Sequence, residues 1–113
     1  MRISECQGAP TWLRDARVSD EDVSIAPSGD VVWHSGNWEG GIWEGGVWLN
    51  GTWHGGVWQD GIWKDGIWKD GVWLNGHWLN GHWLHGIWYN GTWHDGIWHG
   101  GLWGNGIWQN GTW

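Results

Sequence analysis

Phenylalanine is absent from this 113-residue chain, cysteine, methionine and tyrosine occur once each, and proline twice. A lone cysteine, Cys6, excludes an intramolecular disulfide framework and a Cys-based zinc site, and leaves open a bridge between chains. Five Lys and Arg stand against twelve Asp and Glu, a formal net charge of -7 carried about evenly by residues 1–32 and the remainder. No basic patch is present to neutralise a phosphate backbone, so direct nucleic-acid binding is not expected. No run of about 18 apolar residues occurs and Met1 to Gly8 lacks the apolar core of a signal peptide, so the chain reads as soluble, with no membrane span and no export signal. There is no serine-histidine-acid set beyond scattered residues, no phosphate-binding loop and no pair of carboxylates in a non-repetitive setting. The expectation is a protein that is not an enzyme and carries no cofactor.

What is present is tryptophan, 18 residues, and glycine, 23 residues. From Trp33 onward a Trp stands at every fifth position: Trp33, Trp38, Trp43, Trp48, Trp53, Trp58, Trp63, Trp68, Trp73, Trp78, Trp83, Trp88, Trp93, Trp98, Trp103, Trp108 and Trp113. Gly precedes each Trp after the first by two positions, from Gly36 to Gly111, so the unit is Gly-x-Trp-x-x. The residue between Gly and Trp is mostly β-branched, as at Ile42, Val47, Thr52, Val57, Ile62, Ile67 and Val72, which marks an extended backbone. The second residue after Trp is nearly always Asn, Asp or Gly, with Ser35 and His85 the exceptions, which reads as a corner of positive φ. Side chains alternate along a strand, so Gly and Trp share one face and the β-branched residue points to the other. Such short regular units exclude helix.

Two all-β architectures satisfy these rules. One is a solenoid in which each pentad forms one side of a square coil, with Trp and Gly inward, four pentads per turn and Asn, Asp or Gly at the corner of a type II turn. The other is a meander of three-residue strands, such as Thr52-Trp53-His54, joined by two-residue Asn-Gly or Asp-Gly turns. The solenoid is preferred, because ordering so many glycine-rich residues is offset only if nearly every Trp is buried, and a one-layer meander cannot do that alone. The two differ in size: roughly 20 Å for four coils against roughly 80 Å for 17 strands. Outward residues match no better at an offset of twenty than at ten, so the sequence leaves both open.

Residues 1–32 break the repeat and form an expected N-terminal cap, with short extended signals at Thr11-Trp12-Leu13, Ala16-Arg17-Val18 and Val23-Ser24-Ile25; residues 33–113 are the repeat domain. After Trp113 no such cap follows, so a homo-oligomer or a larger protein assembly is expected, through the C-terminal end or an outer face.

At Gly-Ile-Trp-Lys-Asp and Gly-Thr-Trp-His-Asp the unit resembles the pentapeptide-repeat family, which implies a right-handed quadrilateral β-helix. The chain departs from that family in using Trp at every centre and Gly at every small position, and in lacking Asn or Asp just before the centre. The strings Trp38-Glu39-Gly40-Gly41 and Trp53-His54-Gly55-Gly56 also resemble the aromatic-glycine repeats of tailed-phage virion structural proteins, which implies a particle-surface, tail or fibre component.

Sharper readings attach to particular residues. His34 and His54 would stack in adjacent coils of a 20-residue solenoid, and His82 and His85 lie near one corner, the only metal candidates the spacing offers. Asp60, Asp65 and Asp70 begin a carboxylate row of the kind by which some pentapeptide-repeat proteins mimic duplex DNA, interrupted by Lys64 and Lys69. An outward Trp ladder would stack on sugar rings and make a carbohydrate-binding or adhesive surface. Outward Ile62, Ile67, Ile87, Ile97 and Ile107 offer a contact face for lateral association. Trp48-Leu49-Asn50 and Trp63-Lys64-Asp65 resemble substrates of enzymes that crosslink an aromatic ring to the third residue, although units with Gly40, Gly45, Gly55 or Gly100 lack the β-carbon needed. The reading preferred over all of these is a structural or attachment protein.

Overall fold

A computed structural model describes residues 1–113. The chain is an all-β solenoid with its tryptophans inside, and the number of sides is three. Trp33 pairs in parallel with Trp48, Trp48 with Trp63, and Trp63 with Trp78, each fifteen residues on. The expected square coil of twenty residues is therefore replaced by a triangular coil of three pentads. The parallel register also rules out the meander, and the 39 × 25 × 18 Å extents contain about five such turns and not an 80 Å ribbon.

Each side of the triangle is a minimal strand of two residues, such as Thr52–Trp53 or Val57–Trp58. Successive coils are joined by a repeated backbone pattern. The amide before each Trp donates to the Gly carbonyl of the previous coil (Val57 to Gly41, 3.0 Å), and the amide after it donates to a Trp carbonyl (Gln59 to Trp43, 2.8 Å). Buried peptide groups thus find partners one coil away although no strand is long.

The interior is three columns of indoles. Along the axis the rings stack face to face, as in Trp58 on Trp73 at 4.8 Å and 6°. Around a coil they meet edge to face, as in Trp53 with Trp58 at 5.9 Å and 71°. Both are favoured arrangements of aromatic quadrupoles. Every repeat Trp from Trp33 to Trp93 is fully buried. None of the four surface depressions is lined by a repeat Trp. Three indoles meeting edge-on fill the cross-section, which is the physical reason a triangle suits this side chain: a wider coil would open a void at the axis.

The corner chemistry differs from expectation. Positive φ falls on the glycines, for example +127° at Gly71, and on no Asn or Asp of the repeat. The Asp or Asn before the glycine acts instead as an acceptor: the Asp70 carboxylate takes the Gly71 amide proton at 2.8 Å, and Asn50, Asp60, Asp65 and Asp95 do likewise. Clearance for glycine is needed along the solenoid axis. A β-carbon on Gly71 would lie 2.5 Å from the Gly56 carbonyl oxygen and 3.1 Å from the Trp53 indole nitrogen. The indole N–H of Trp88 donates to the Asn105 carbonyl at 3.1 Å, while those of Trp33 to Trp83 and of Trp93 are buried without a hydrogen-bond partner. Each such group costs about 1–3 kcal/mol, a cost the stacked interior carries.

The first 30 residues lie against the start of the solenoid. A short 3-10 turn (Ile3–Glu5) and helix α1 (Thr11–Arg14) precede strand β1 (Arg17–Ile25), which pairs antiparallel with β2 (Val31–Gly40), the strand that opens the repeat. Thr11-Trp12-Leu13 is thus helical and not extended, while Arg17-Val18 and Val23-Ser24-Ile25 belong to one strand that Ala16 just precedes. The helix brings Trp12 edge-on to Trp43 at 5.2 Å and 67°, covering the first indole of the third column. β1 bulges at Asp20, the one non-glycine residue of positive φ (55°), and there it presses on Gly36, where a β-carbon would meet the Glu21 Cα at 2.6 Å. Glu21 is buried, and its carboxylate accepts from the Ile3 amide at 3.1 Å and from Arg2 Nε at 3.0 Å. The Met1 ammonium pairs with Asp22 on the surface.

Candidate functional surface

Because Trp fills the inside of the repeat, the titratable and other polar side chains of residues 33–113 are on the outside, and the fifteen-residue coil decides which of them become neighbours. The residue before each Trp points outward and forms a ladder up each face. One ladder reads Ile42, Val57, Val72, Ile87, Leu102 and is aliphatic throughout. The other two are interrupted by polar residues: His77 and Thr92 in one, Asn37, Thr52 and His82 in the other. Ile62 and Ile107 share the first of these, Ile67 and Ile97 the second, and Ile87 belongs to the aliphatic face. The five isoleucines expected to form one contact surface are therefore divided among three. Beside the aliphatic ladder runs a groove of about 400 Å³ bounded by Gly55, Asp70, Val72, His85, Ile87 and Leu102.

The other expected groupings are rearranged by the same geometry. Asp60, Asp65 and Asp70 stand at three successive corners of one coil, one on each edge, and so do not form a row. His34 and His54 lie on different faces. His34 Nε2 is 2.9 Å from the Ser24 hydroxyl, and His54 Nε2 is 3.4 Å from Asn37 Oδ1. His85 borders the groove, which His82 does not line. The structure pairs His82 with His99, Nδ1 to Nε2 at 3.2 Å, and His77 with His94, Nδ1 to Nε2 at 3.1 Å. His77, His94 and His99 were not singled out from the sequence, since the offset of seventeen that joins them has meaning only once the coil is known to hold fifteen residues.

The repeat tryptophans sit within the core as expected, apart from the last ones. Trp103 and Trp108 are half-buried, and Trp113 is 77% exposed and lies on Trp108 at 5.0 Å. With the rest enclosed, no ladder of indoles faces solvent for sugar rings to stack upon. Cys6, within the N-terminal segment, is free and buried. No group of three or more His, Cys, Asp or Glu side chains is placed to hold a metal ion, and no helix is long and apolar enough to cross a membrane.

Two groups have shifted acidity. The hydrogen bond with Asp22 holds the Met1 ammonium above the ordinary range of an α-amino group, and the same contact holds the Asp22 carboxyl below the ordinary carboxylate range. Both lie at the surface of the N-terminal segment, away from the outer ladders. No protein-family model, curated protein or solved structure matches the chain.

Proposed function

We propose that the protein is a non-catalytic structural or attachment element, a short stiff prism whose aliphatic face packs laterally against copies of itself in a larger assembly. The observation that carries this reading is the unbroken outward ladder Ile42, Val57, Val72, Ile87, Leu102 on one side of the triangle, while both other sides are interrupted by polar residues. An apolar strip along a rigid face is what lateral association buries. Stiffness follows from the interior: each coil is bonded to the next through its backbone, and bending would unstack three columns of indoles at once. The resemblance to aromatic-glycine repeats of tailed-phage virion proteins supports a place on a particle, tail or fibre.

Sedimentation velocity of the full chain tests this directly. The wild type is expected to associate reversibly, and the Val72→Lys, Ile87→Lys variant to sediment as a monomer with unchanged melting, since both side chains point away from the core. A wild type that stays monomeric at every concentration, or a variant that associates as well as the wild type, contradicts lateral assembly through this face.

A further inference from the structure

Two pairs of histidines stand side by side on neighbouring faces of the solenoid: His77 with His94 and His82 with His99. We propose that each pair is a chelating site for one borderline divalent transition-metal ion, of the class of Ni(II), Cu(II) or Zn(II), so that the chain binds two ions through four imidazoles.

The geometry comes from the coil. Parallel register sets His77 beside Thr92 and His82 beside Ile97. The residue two further along the neighbouring strand projects from the same outer surface, and this diagonal is within reach of long side chains. His94 and His99 occupy those diagonal positions. A metal–imidazole bond of about 2.0–2.1 Å with an angle of about 90–110° at the ion requires the two nitrogens to stand about 2.9–3.4 Å apart. The observed separations of 3.1 and 3.2 Å match that bite in length, and with ring centroids 5.4 and 5.5 Å apart the two nitrogens of each pair face one another head-on, so chelation requires both exposed rings to turn about their side-chain torsions toward a common point.

A hydrogen bond between the rings is the plainer account of such a distance, and the sequence speaks against its being the whole reason. The same diagonal joins Asn37 to His54, so an amide serves a histidine there. Histidine occurs at only two of the positions before a repeat Trp, His77 and His82, and at four of the positions after one, His34, His54, His94 and His99. Both of the former face one of the latter, in the same pair of coils. Two imidazoles with no acidic or thiolate partner select ions that favour nitrogen over ions that require carboxylates. With no third protein ligand at hand, the remaining positions of each ion are open to water or to a donor from another molecule.

The test uses the full chain purified without a histidine tag and titrated with NiCl2 by calorimetry. Paramagnetic broadening of the histidine ring signals locates the ion. Two ions per chain are expected in the wild type and one in His77→Asn. In His77→Asn, His82→Asn, binding at these positions is expected to weaken by at least about 100-fold, the loss of an intramolecular second ligand. Asparagine is chosen because it reproduces the pairing of Asn37 with His54 and keeps the surface folded, which an unchanged melting curve verifies. A triple replacement of His34, His54 and His85 by Asn should retain both ions. Absence of stoichiometric uptake by the wild type, uptake unaffected by the double replacement, or uptake abolished by the triple one would each overturn the proposal.

Discussion

The indole of Trp73 lies between those of Trp58 and Trp88, 4.8 Å from each and within 6° of parallel to both, although the three residues are fifteen positions apart in the chain. That sandwich repeats through all three columns and makes the interior a continuous aromatic solid.

Removing one indole from the middle of a column leaves a void that neighbours stacked above and below cannot close. Trp73→Ala is expected to lower stability by about 3–5 kcal/mol, measured by chemical denaturation. Native fluorescence of the wild type should be blue and poorly quenched by a soluble quencher, shifting red on unfolding. A negligible change in melting for the variant would contradict a packed Trp interior.

Glycine is indispensable at one position of the repeat and replaceable at another. Gly71 has φ of +127° and a β-carbon there would sit 2.5 Å from the Gly56 carbonyl oxygen, whereas a β-carbon on Gly55 meets nothing within 4 Å. Gly71→Ala should destabilise strongly, and Gly55→Ala should shift the melting temperature little or upward. Equal effects of the two would refute the assignment of strain to the glycine before the strand.

The number of sides can be read chemically. Thr52 and Ile67 are register partners on neighbouring coils, so Thr52→Cys, Ile67→Cys should close a disulfide under mild oxidation, the separation of adjacent strands matching disulfide reach. The Thr52→Cys, Val72→Cys pair, which a twenty-residue coil would join, should stay reduced. Mass spectrometry after thiol alkylation distinguishes the outcomes, and the opposite pattern would restore the square coil.

The surface pair of the Met1 ammonium and Asp22 makes a small pH-dependent contribution. The amine is raised, so its share is present below an ordinary α-amino pKa of about 8 and is lost as pH rises through the folded value. Asp22 is lowered, so its share is present above the ordinary carboxylate pKa of about 4 and is lost as pH falls through the folded value. Asp22→Asn should return the amine toward its ordinary value in a titration followed by NMR; an amine pKa unchanged by the substitution would show that the contact does not form in solution.

Much of the fold was legible because the repeat is short and strict. A Trp every fifth position with a β-branched neighbour puts Trp53 and Thr52 on opposite faces by alternation alone, and the burial that a glycine-rich chain needs favours Trp53 as the inner one. The corner was misassigned because Asn-Gly and Asp-Gly supply two residues that both tolerate positive φ. Packing decides between them: only Gly71, with no β-carbon, can approach the Gly56 carbonyl, while Asp70 is left to accept its amide proton. The histidine pairs were beyond reach for a different reason. His77 and His94 are unrelated at offsets of five, ten or twenty and become neighbours only at seventeen.

The sequence by itself determined the five-residue period and the placing of each Trp and its variable neighbour on opposite faces, since these follow from strand alternation, and burial favoured the inward tryptophans. The tertiary structure alone decided how many pentads close a turn, because that depends on how many indoles fill one cross-section edge to face. With that number came everything on the surface: the aliphatic ladder from Ile42 to Leu102, the dispersal of Asp60, Asp65 and Asp70, and the meeting of His82 with His99. A linear pattern specifies what each residue faces, but the circumference of the coil specifies its neighbour.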